Sequence, residues 1–129
     1  MTAGTVVLCG LDELEDPGSR EFKWGTGAWP LEFFAVRRGG SVSGFVNRCP
    51  HAGTPLNWEP DEFLDAGGDM IQCDSHGALF TIDDGVCVDG PCPGAALESV
   101  ALRVEDGQVV ADEAELEQVR SRWLGGAGY

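Results

Sequence analysis

Cys49-Pro50-His51 and Cys73-Asp74-Ser75-His76 are the two stretches that decide how this chain folds, and twenty-one residues (52–72) separate them. Each stretch offers one thiolate and one imidazole, in the pattern C-x-H…C-x-x-H. Two ligands on one tight loop reach the same metal with little extra loss of conformational entropy. The pattern therefore predicts a metal site with two sulfur and two nitrogen ligands.

Two kinds of metal site use this set of ligands. A structural zinc ion is bound tetrahedrally by all four side chains and would only hold the two loops together. A [2Fe–2S] cluster of mixed ligation takes two cysteines on one iron and two histidines on the other. The spacing of the ligands separates these alternatives only imperfectly.

The residues that follow each motif separate the alternatives better. The first motif continues to Leu56, five residues after His51, and the second continues as Gly77-Ala78-Leu79-Phe80. Both continuations resemble the cluster-binding loops of Rieske proteins. Gly90-Pro91 and Leu97 are similar to the proline-bearing loop that covers the cluster in that family. The resemblance extends from about Val6 to Ala111.

This resemblance implies a fold and a cofactor. The fold is mostly β: one domain over residues 1–129, with an antiparallel β-sandwich as its base. A small cluster-binding subdomain is expected at about residues 48–82, with a covering loop at about 89–94. One [2Fe–2S] cluster per chain is implied, with Cys49 and Cys73 on the inner iron and His51 and His76 on the outer, redox-active iron.

The residue pattern is consistent with this β framework. Leu31–Arg37 and Val42–Asn47 flank Arg38-Gly39-Gly40-Ser41 and predict a hairpin. Val100–Val104 and Gln108–Ala111 predict a second one. Shorter strands are expected at Val6–Cys9, Glu21–Trp24, Met70–Cys73 and Ala78–Ile82. Only the tail is typical of a helix, with Asp112 and Glu115 as a capping box, an apolar stripe at Leu116, Val119 and Trp123, and an end at Gly125-Gly126.

Composition excludes some functions. With 22 acidic and 8 basic residues the net charge is −14, which disfavours binding to nucleic acid. The charge fits a partner with a basic docking face, or it serves solubility alone. No apolar run approaches the roughly 20 residues that a membrane span needs, and the N-terminus has no signal-peptide pattern. We therefore expect a cytoplasmic protein without a membrane partner.

Four positions in the motifs predict a low reduction potential. Quinol-oxidising Rieske proteins have a disulfide between the two loops, and Thr54 and Ser75 stand at the matching positions here. The same proteins have Ser and Tyr hydroxyls near the cluster where this chain has Ala78 and Phe80. Because donors to the sulfur atoms are missing, we expect a potential near the low end of the roughly −150 to +300 mV Rieske range.

Three features remain open in the sequence. The acidic segment Trp58–Asp69 is either a partner-specific surface or a tolerated insertion, and we favour the insertion. Cys87 and Cys92 are either further ligands, a disulfide or packed apolar groups, and we favour packing. Cys9 is expected to be a buried apolar residue of a strand.

The expected role is that of an electron carrier and not of an enzyme. A ferredoxin of this type takes one electron from a flavin reductase and passes it to a terminal oxygenase. The two histidines of the sequence are both assigned to the cluster, so none remains for a mononuclear iron site. The alternative is a small relay subunit of a larger oxidoreductase.

Overall fold

The fold consists of short antiparallel strands followed by one helix. A computed structural model describes residues 4–25, 30–48, 55–57, 59–74, 77–90 and 95–127, the last five of these by their backbone alone. The strands are β1 (Thr5–Gly10), β2 (Gly18–Trp24), β3 (Leu31–Arg38), β4 (Ser41–Val46), β5 (Met70–Gln72), β6 (Leu79–Thr81), β7 (Cys87–Asp89), β8 (Ser99–Val100), β9 (Arg103–Glu105) and β10 (Gln108–Asp112). A 3₁₀ turn (Leu11–Glu13) follows β1, and helix α1 (Glu113–Ala127) follows β10.

In the described part of the chain the strands form three sheets. Their strand orders are β1-β10-β9, β2-β3-β4-β8 and β5-β6-β7, and all pairs are antiparallel. We call them the base sheet, the central sheet and the small sheet. The expected mostly-β fold with a short C-terminal helix is confirmed.

The central sheet is buried on both faces. Phe33 and Phe34 are successive residues of β3 and point to opposite sides, yet neither is exposed to solvent. Phe33 belongs to a core formed with the base sheet and α1, which includes Ala111 and Leu116. Phe34 belongs to a second core, formed with the small sheet. This double burial explains why β3 has a continuous apolar run instead of an alternating one.

The first predicted hairpin is confirmed and the second is wrong in part. β3 and β4 pair from Arg38↔Ser41 onward around Gly39-Gly40. Val100–Val104 is two strands and not one: β8 pairs with β4, whereas β9 pairs with β10. The chain leaves the central sheet after Val100 and joins the base sheet, so the two halves of one apolar run lie in different sheets.

The small sheet extends beyond the expected residues 48–82. β7 was not predicted, and it pairs with β6 through Phe80↔Cys87. The preceding loop also contributes, because Leu64 forms a bridge with Ile71 and Phe63 accepts a hydrogen bond from the Gln72 N–H. Phe63 stacks on Phe34 of the central sheet at 4.1 Å between ring centroids. Part of the acidic segment is therefore integrated into the core.

Helix α1 lies against the central sheet and the base sheet, with Leu116 and Val119 fully buried as predicted. Trp123 lies outside the described side chains. The acidic residues of the predicted capping box bind elsewhere: Asp112 pairs with Arg103 and Glu115 accepts from the Ala101 N–H. The helix continues past Gly125-Gly126 to Ala127. Within the residues that the structure describes, no helix is sufficiently long and apolar to cross a membrane.

Candidate metal centre

One of the four predicted ligands lies in the described part of the chain. Cys73 directly follows β5 and has no solvent exposure. Cys49, His51 and His76 lie outside the described residues, as do Thr54, Ser75 and Cys92. The described residues by themselves contain no group of three or more potential metal-binding side chains. The site is therefore characterised through Cys73 and the residues that flank the two motifs.

The second motif begins in a tight turn that follows β5. The Cys73 N–H donates to the carbonyl oxygen of Ala78 at 2.9 Å, and the Gly77 N–H donates to the carbonyl oxygen of Cys73 at 2.9 Å. Gly77 has a φ of +71°, a conformation that glycine adopts at little cost. The two hydrogen bonds close the turn and fix the backbone of Cys73 from both sides.

A residue that follows the first motif is hydrogen-bonded to a residue of the second motif. Leu56 follows the first motif, and its carbonyl oxygen accepts a 2.8 Å hydrogen bond from the N–H of Asp74 in the second motif. The Leu56 N–H donates to Oδ1 of Asn47, which precedes the first motif, at 2.8 Å. The fold thus places Leu56, which follows the first motif, against the start of the second motif.

The segment resembling a covering loop is attached to the same sheet at both of its ends. Before it, Gly90 has a φ of +103°, and a β-carbon there would lie 2.7 Å from the Cα of Ala78. After it, the Ala95 carbonyl accepts from the Cys87 N–H at 2.7 Å, and Leu97 donates to the Gly85 carbonyl at 2.8 Å. The residues between these ends, 91–94, lie outside the described part of the chain.

The surroundings of Cys73 suit an iron–sulfur cluster. Cys73 shares its buried core with apolar neighbours, among them Leu56, Ala78, Phe80 and Leu97. A thiolate in such a place is costly unless a cation compensates its charge, and ferric iron does so. Ala78 and Phe80 carry no hydroxyl, so the described side chains at these two positions offer no hydrogen-bond donor. The donor set and this apolar core fit a [2Fe–2S] group.

Comparison with protein families decides between the two kinds of metal site. The model of the Rieske [2Fe–2S] domain matches residues 5–104. The chain belongs to the Rieske [2Fe–2S] domain family. A [2Fe–2S] cluster is accordingly the cofactor of this Rieske domain, as the sequence predicts.

A curated relative lies among the larger Rieske proteins. The iron–sulfur subunit of the cytochrome b6-f complex of Chlorobaculum tepidum is 35% identical over 79 residues. The match covers 61% of this chain and 39% of that subunit. The chain thus spans well under half of the length of this relative.

Two solved structures have a similar fold. The ferredoxin of carbazole 1,9a-dioxygenase from Nocardioides aromaticivorans IC177 has a TM-score of 0.67 at 24% identity, covering 86% of this chain and 100% of the ferredoxin. A chain from a complex of reduced oxygenase and oxidised ferredoxin in carbazole 1,9a-dioxygenase has a TM-score of 0.66 at 21% identity, covering 84% and 92%. These similarities show that the Rieske domain has the fold of such ferredoxins.

The cysteines outside the two motifs differ in their surroundings. Cys9 is buried on β1, and burial raises the pKa of its thiol above the ordinary value of 9.0. Cys87 is buried in the same core as Cys73, and its Sγ lies 3.3 Å from the Asp89 carbonyl oxygen. Burial of Cys87 agrees with the expected packing role, whereas Cys92 lies outside the described residues.

Two residues near the site were not found from the sequence. Asn47 and Asn57 flank the first motif, and their side chains are hydrogen-bonded to each other at 3.0 Å. No periodicity marks them. The one available signal is that a polar residue directly follows the apolar pair Phe45-Val46 at the end of β4, two residues before Cys49.

Proposed function

We propose that this Rieske domain is a one-electron carrier whose cluster is bound by Cys49, His51, Cys73 and His76. The observation that carries the proposal is the 2.8 Å hydrogen bond from the Asp74 N–H to the Leu56 carbonyl. It joins Leu56, which follows the first Cys/His motif, to Asp74 of the second motif, which supports a single binding site with ligands from both motifs. When bound, the cluster supplies reversible one-electron chemistry.

The residues of the chain have separate tasks in this carrier. The turn closed by Cys73 and Ala78 holds one thiolate in a dry core, where the charge of the cluster is poorly screened. A buried, apolar surrounding in which Ala78 and Phe80 offer no hydroxyl donor disfavours the additional negative charge of the reduced cluster. These features support the low potential expected from Ala78 and Phe80.

We propose that a terminal oxygenase accepts the electron and that a flavin-dependent reductase supplies it. The size and fold of the domain match those of a ferredoxin that serves a dioxygenase. The net charge of −14 supports partners with basic docking faces, because opposite charges accelerate encounter. We place this exchange in the cytoplasm and assign the chain no catalytic step of its own.

A relay subunit of a larger oxidoreductase is the second candidate. It is supported by the 35% identity, over 79 residues, to the iron–sulfur subunit of a cytochrome b6-f complex. Gel filtration separates the two candidates. A carrier elutes as a single folded species that a reductase reduces in solution, whereas a relay subunit is stable only with its partner.

The proposal is tested on protein purified without oxygen. We expect about two iron atoms and two acid-labile sulfides per chain, visible absorption, and bleaching by one electron from a flavin reductase. Cys73→Ser is expected to abolish the cluster. Cys9→Ser is the matched control, since Cys9 packs in a separate core with Leu14 and Val109 and should leave the iron content unchanged. Colourless protein that contains zinc would contradict the proposal.

A further inference from the structure

Asn47 is the one buried polar residue among those that the structure describes, with 8% of its surface exposed. It follows β4, and its N–H donates to the Glu32 carbonyl of β3 at 2.9 Å. Its backbone is therefore fixed to the central sheet. A carboxamide is costly to bury unless it is hydrogen-bonded, so the position of the Asn47 side chain has to be explained by its partners.

Both ends of the Asn47 carboxamide have a partner. Oδ1 accepts from the Leu56 N–H at 2.8 Å, and Nδ2 donates to Oδ1 of Asn57 at 3.0 Å. A backbone N–H can only donate, so the oxygen of Asn47 must face Leu56. The orientation of this carboxamide is thus determined by its surroundings.

Asn57 is held in turn by two acceptors. Its Nδ2 donates to Oε2 of Glu21 at 2.9 Å and to the Glu59 carbonyl at 2.9 Å. Both hydrogens of the Asn57 amide are thereby used, so its Oδ1 is the atom that accepts the hydrogen bond from Nδ2 of Asn47. The same Glu21 oxygen accepts from the Asp61 N–H at 3.0 Å. The network thus continues from Asn47 to the edge strand β2 and to the acidic segment.

Leu56 connects Asn47 to the second motif through two hydrogen bonds. Its N–H is bound by Asn47, and its carbonyl oxygen is bound by the N–H of Asp74, next to Cys73. Leu56 has no solvent exposure, so water does not compete for either bond. A displacement of Asn47 would therefore move Leu56 and alter the spacing of the two motifs.

We propose that Asn47 is a positioning residue for the iron–sulfur cluster. It acts through Leu56, which holds the two motifs at a fixed separation, and Asn57 keeps its carboxamide in place. The inference rests on the proposed function, because it assumes that both motifs bind one cluster. Groups that orient metal ligands without touching the metal typically contribute a factor of about 10 to 100 to metal affinity.

The test compares Asn47→Ala with a control that is destabilised elsewhere. Leu116→Ala leaves a cavity in the core beneath α1, which is a different core from the one that contains Leu56 and Cys73. Iron release to a chelator, the reduction potential and the electron paramagnetic resonance spectrum of the reduced protein are measured for both. We expect Asn47→Ala to release iron roughly tenfold faster or more, with a shifted potential and altered g values. Leu116→Ala should lower the melting temperature and leave the potential and spectrum unchanged.

A second variant keeps the inference testable if Asn47→Ala does not fold. Asn57→Ala removes the acceptor for Asn47 but retains the Leu56 bond, so we expect smaller changes in the same direction. Iron release, potential and spectrum equal to those of Leu116→Ala in whichever Asn variant folds would overturn the inference. If the unaltered protein has no [2Fe–2S] spectrum, the proposed function fails instead.

Discussion

Gly90 lies so close to Ala78 that a β-carbon on Gly90 would come within 2.7 Å of the Ala78 Cα and 3.1 Å of its Cβ. Ala78 closes the turn that holds Cys73, and Gly90 begins the segment resembling a covering loop. The contact therefore connects two parts of the candidate centre without a side chain between them. Gly90 is required by this close approach as well as by its φ of +103°.

Gly90→Ala should be considerably more harmful than alanine at another glycine with positive φ. We expect a loss of about 2–5 kcal/mol in unfolding free energy, from about 1–2 for the backbone conformation and about 1–3 for the overpacking. Gly39→Ala is the control, because its φ is +64° and no atom lies within 4 Å of the added carbon. Urea unfolding measures both, and equal losses would refute the packing argument.

Asp61 attaches the acidic segment to the edge of the central sheet. Its Oδ1 accepts from the Glu21 N–H at 2.9 Å, and its φ is +64°. Asp61→Ala should cost about 1–2 kcal/mol, because it removes a hydrogen bond and disfavours positive φ. Asp61→Asn retains an acceptor and tolerates this φ, so it should preserve most of the stability. Equal destabilisation by the two substitutions would show that the acceptor is unimportant.

Phe80→Tyr should raise the reduction potential. A hydroxyl that donates to the cluster would stabilise the reduced state by about 1 kcal/mol, or about 40 mV for one electron. Phe33→Tyr is the matched control, since Phe33 is equally buried but lies in the core on the other face of the central sheet. Potentiometric titration of the visible spectrum measures both, and equal potentials would contradict the prediction.

Cys9 should make stability decline at alkaline pH. Burial raises the pKa of its thiol above 9.0, so the unfolded chain loses this proton at a lower pH than the folded protein does. The contribution of the neutral thiol is complete below the unfolded pKa and is lost as the pH rises through the folded pKa. The stability advantage over Cys9→Ala should therefore shrink as the pH rises above the ordinary pKa of a cysteine thiol. A pH-independent difference in urea midpoints would exclude this origin.

The sequence pattern correctly predicted strands whose position depends mainly on their own residues. The β3–β4 hairpin has apolar runs on both sides of Gly39-Gly40, and both strands form with a shift of one residue at their ends. β7 was not predicted, because it has only three residues between two turns and is too short to show an alternation of apolar and polar residues. The division of Val100–Val104 also could not be inferred, since the choice of sheet depends on distant partners.

The candidate centre was only partly predictable for the same reason. The Cys/His pairs and their glycine and aromatic neighbours lie in continuous sequence, so they identify the family. The supporting bonds connect residues that the sequence separates, such as Asn57 with Glu21 and Leu56 with Asp74. Such bonds depend on how the sheets pack, and a single sequence has no signal for them.

The electron paramagnetic resonance spectrum of the reduced, intact protein tests the central claim most directly. Mixed ligation by Cys49, Cys73, His51 and His76 predicts one [2Fe–2S] signal per chain with a low average g value, because imidazole and thiolate bind different irons. The signal should disappear in Cys73→Ser and persist in Cys9→Ser. A spectrum typical of four cysteine ligands, or no signal from protein that contains zinc, would contradict the assignment.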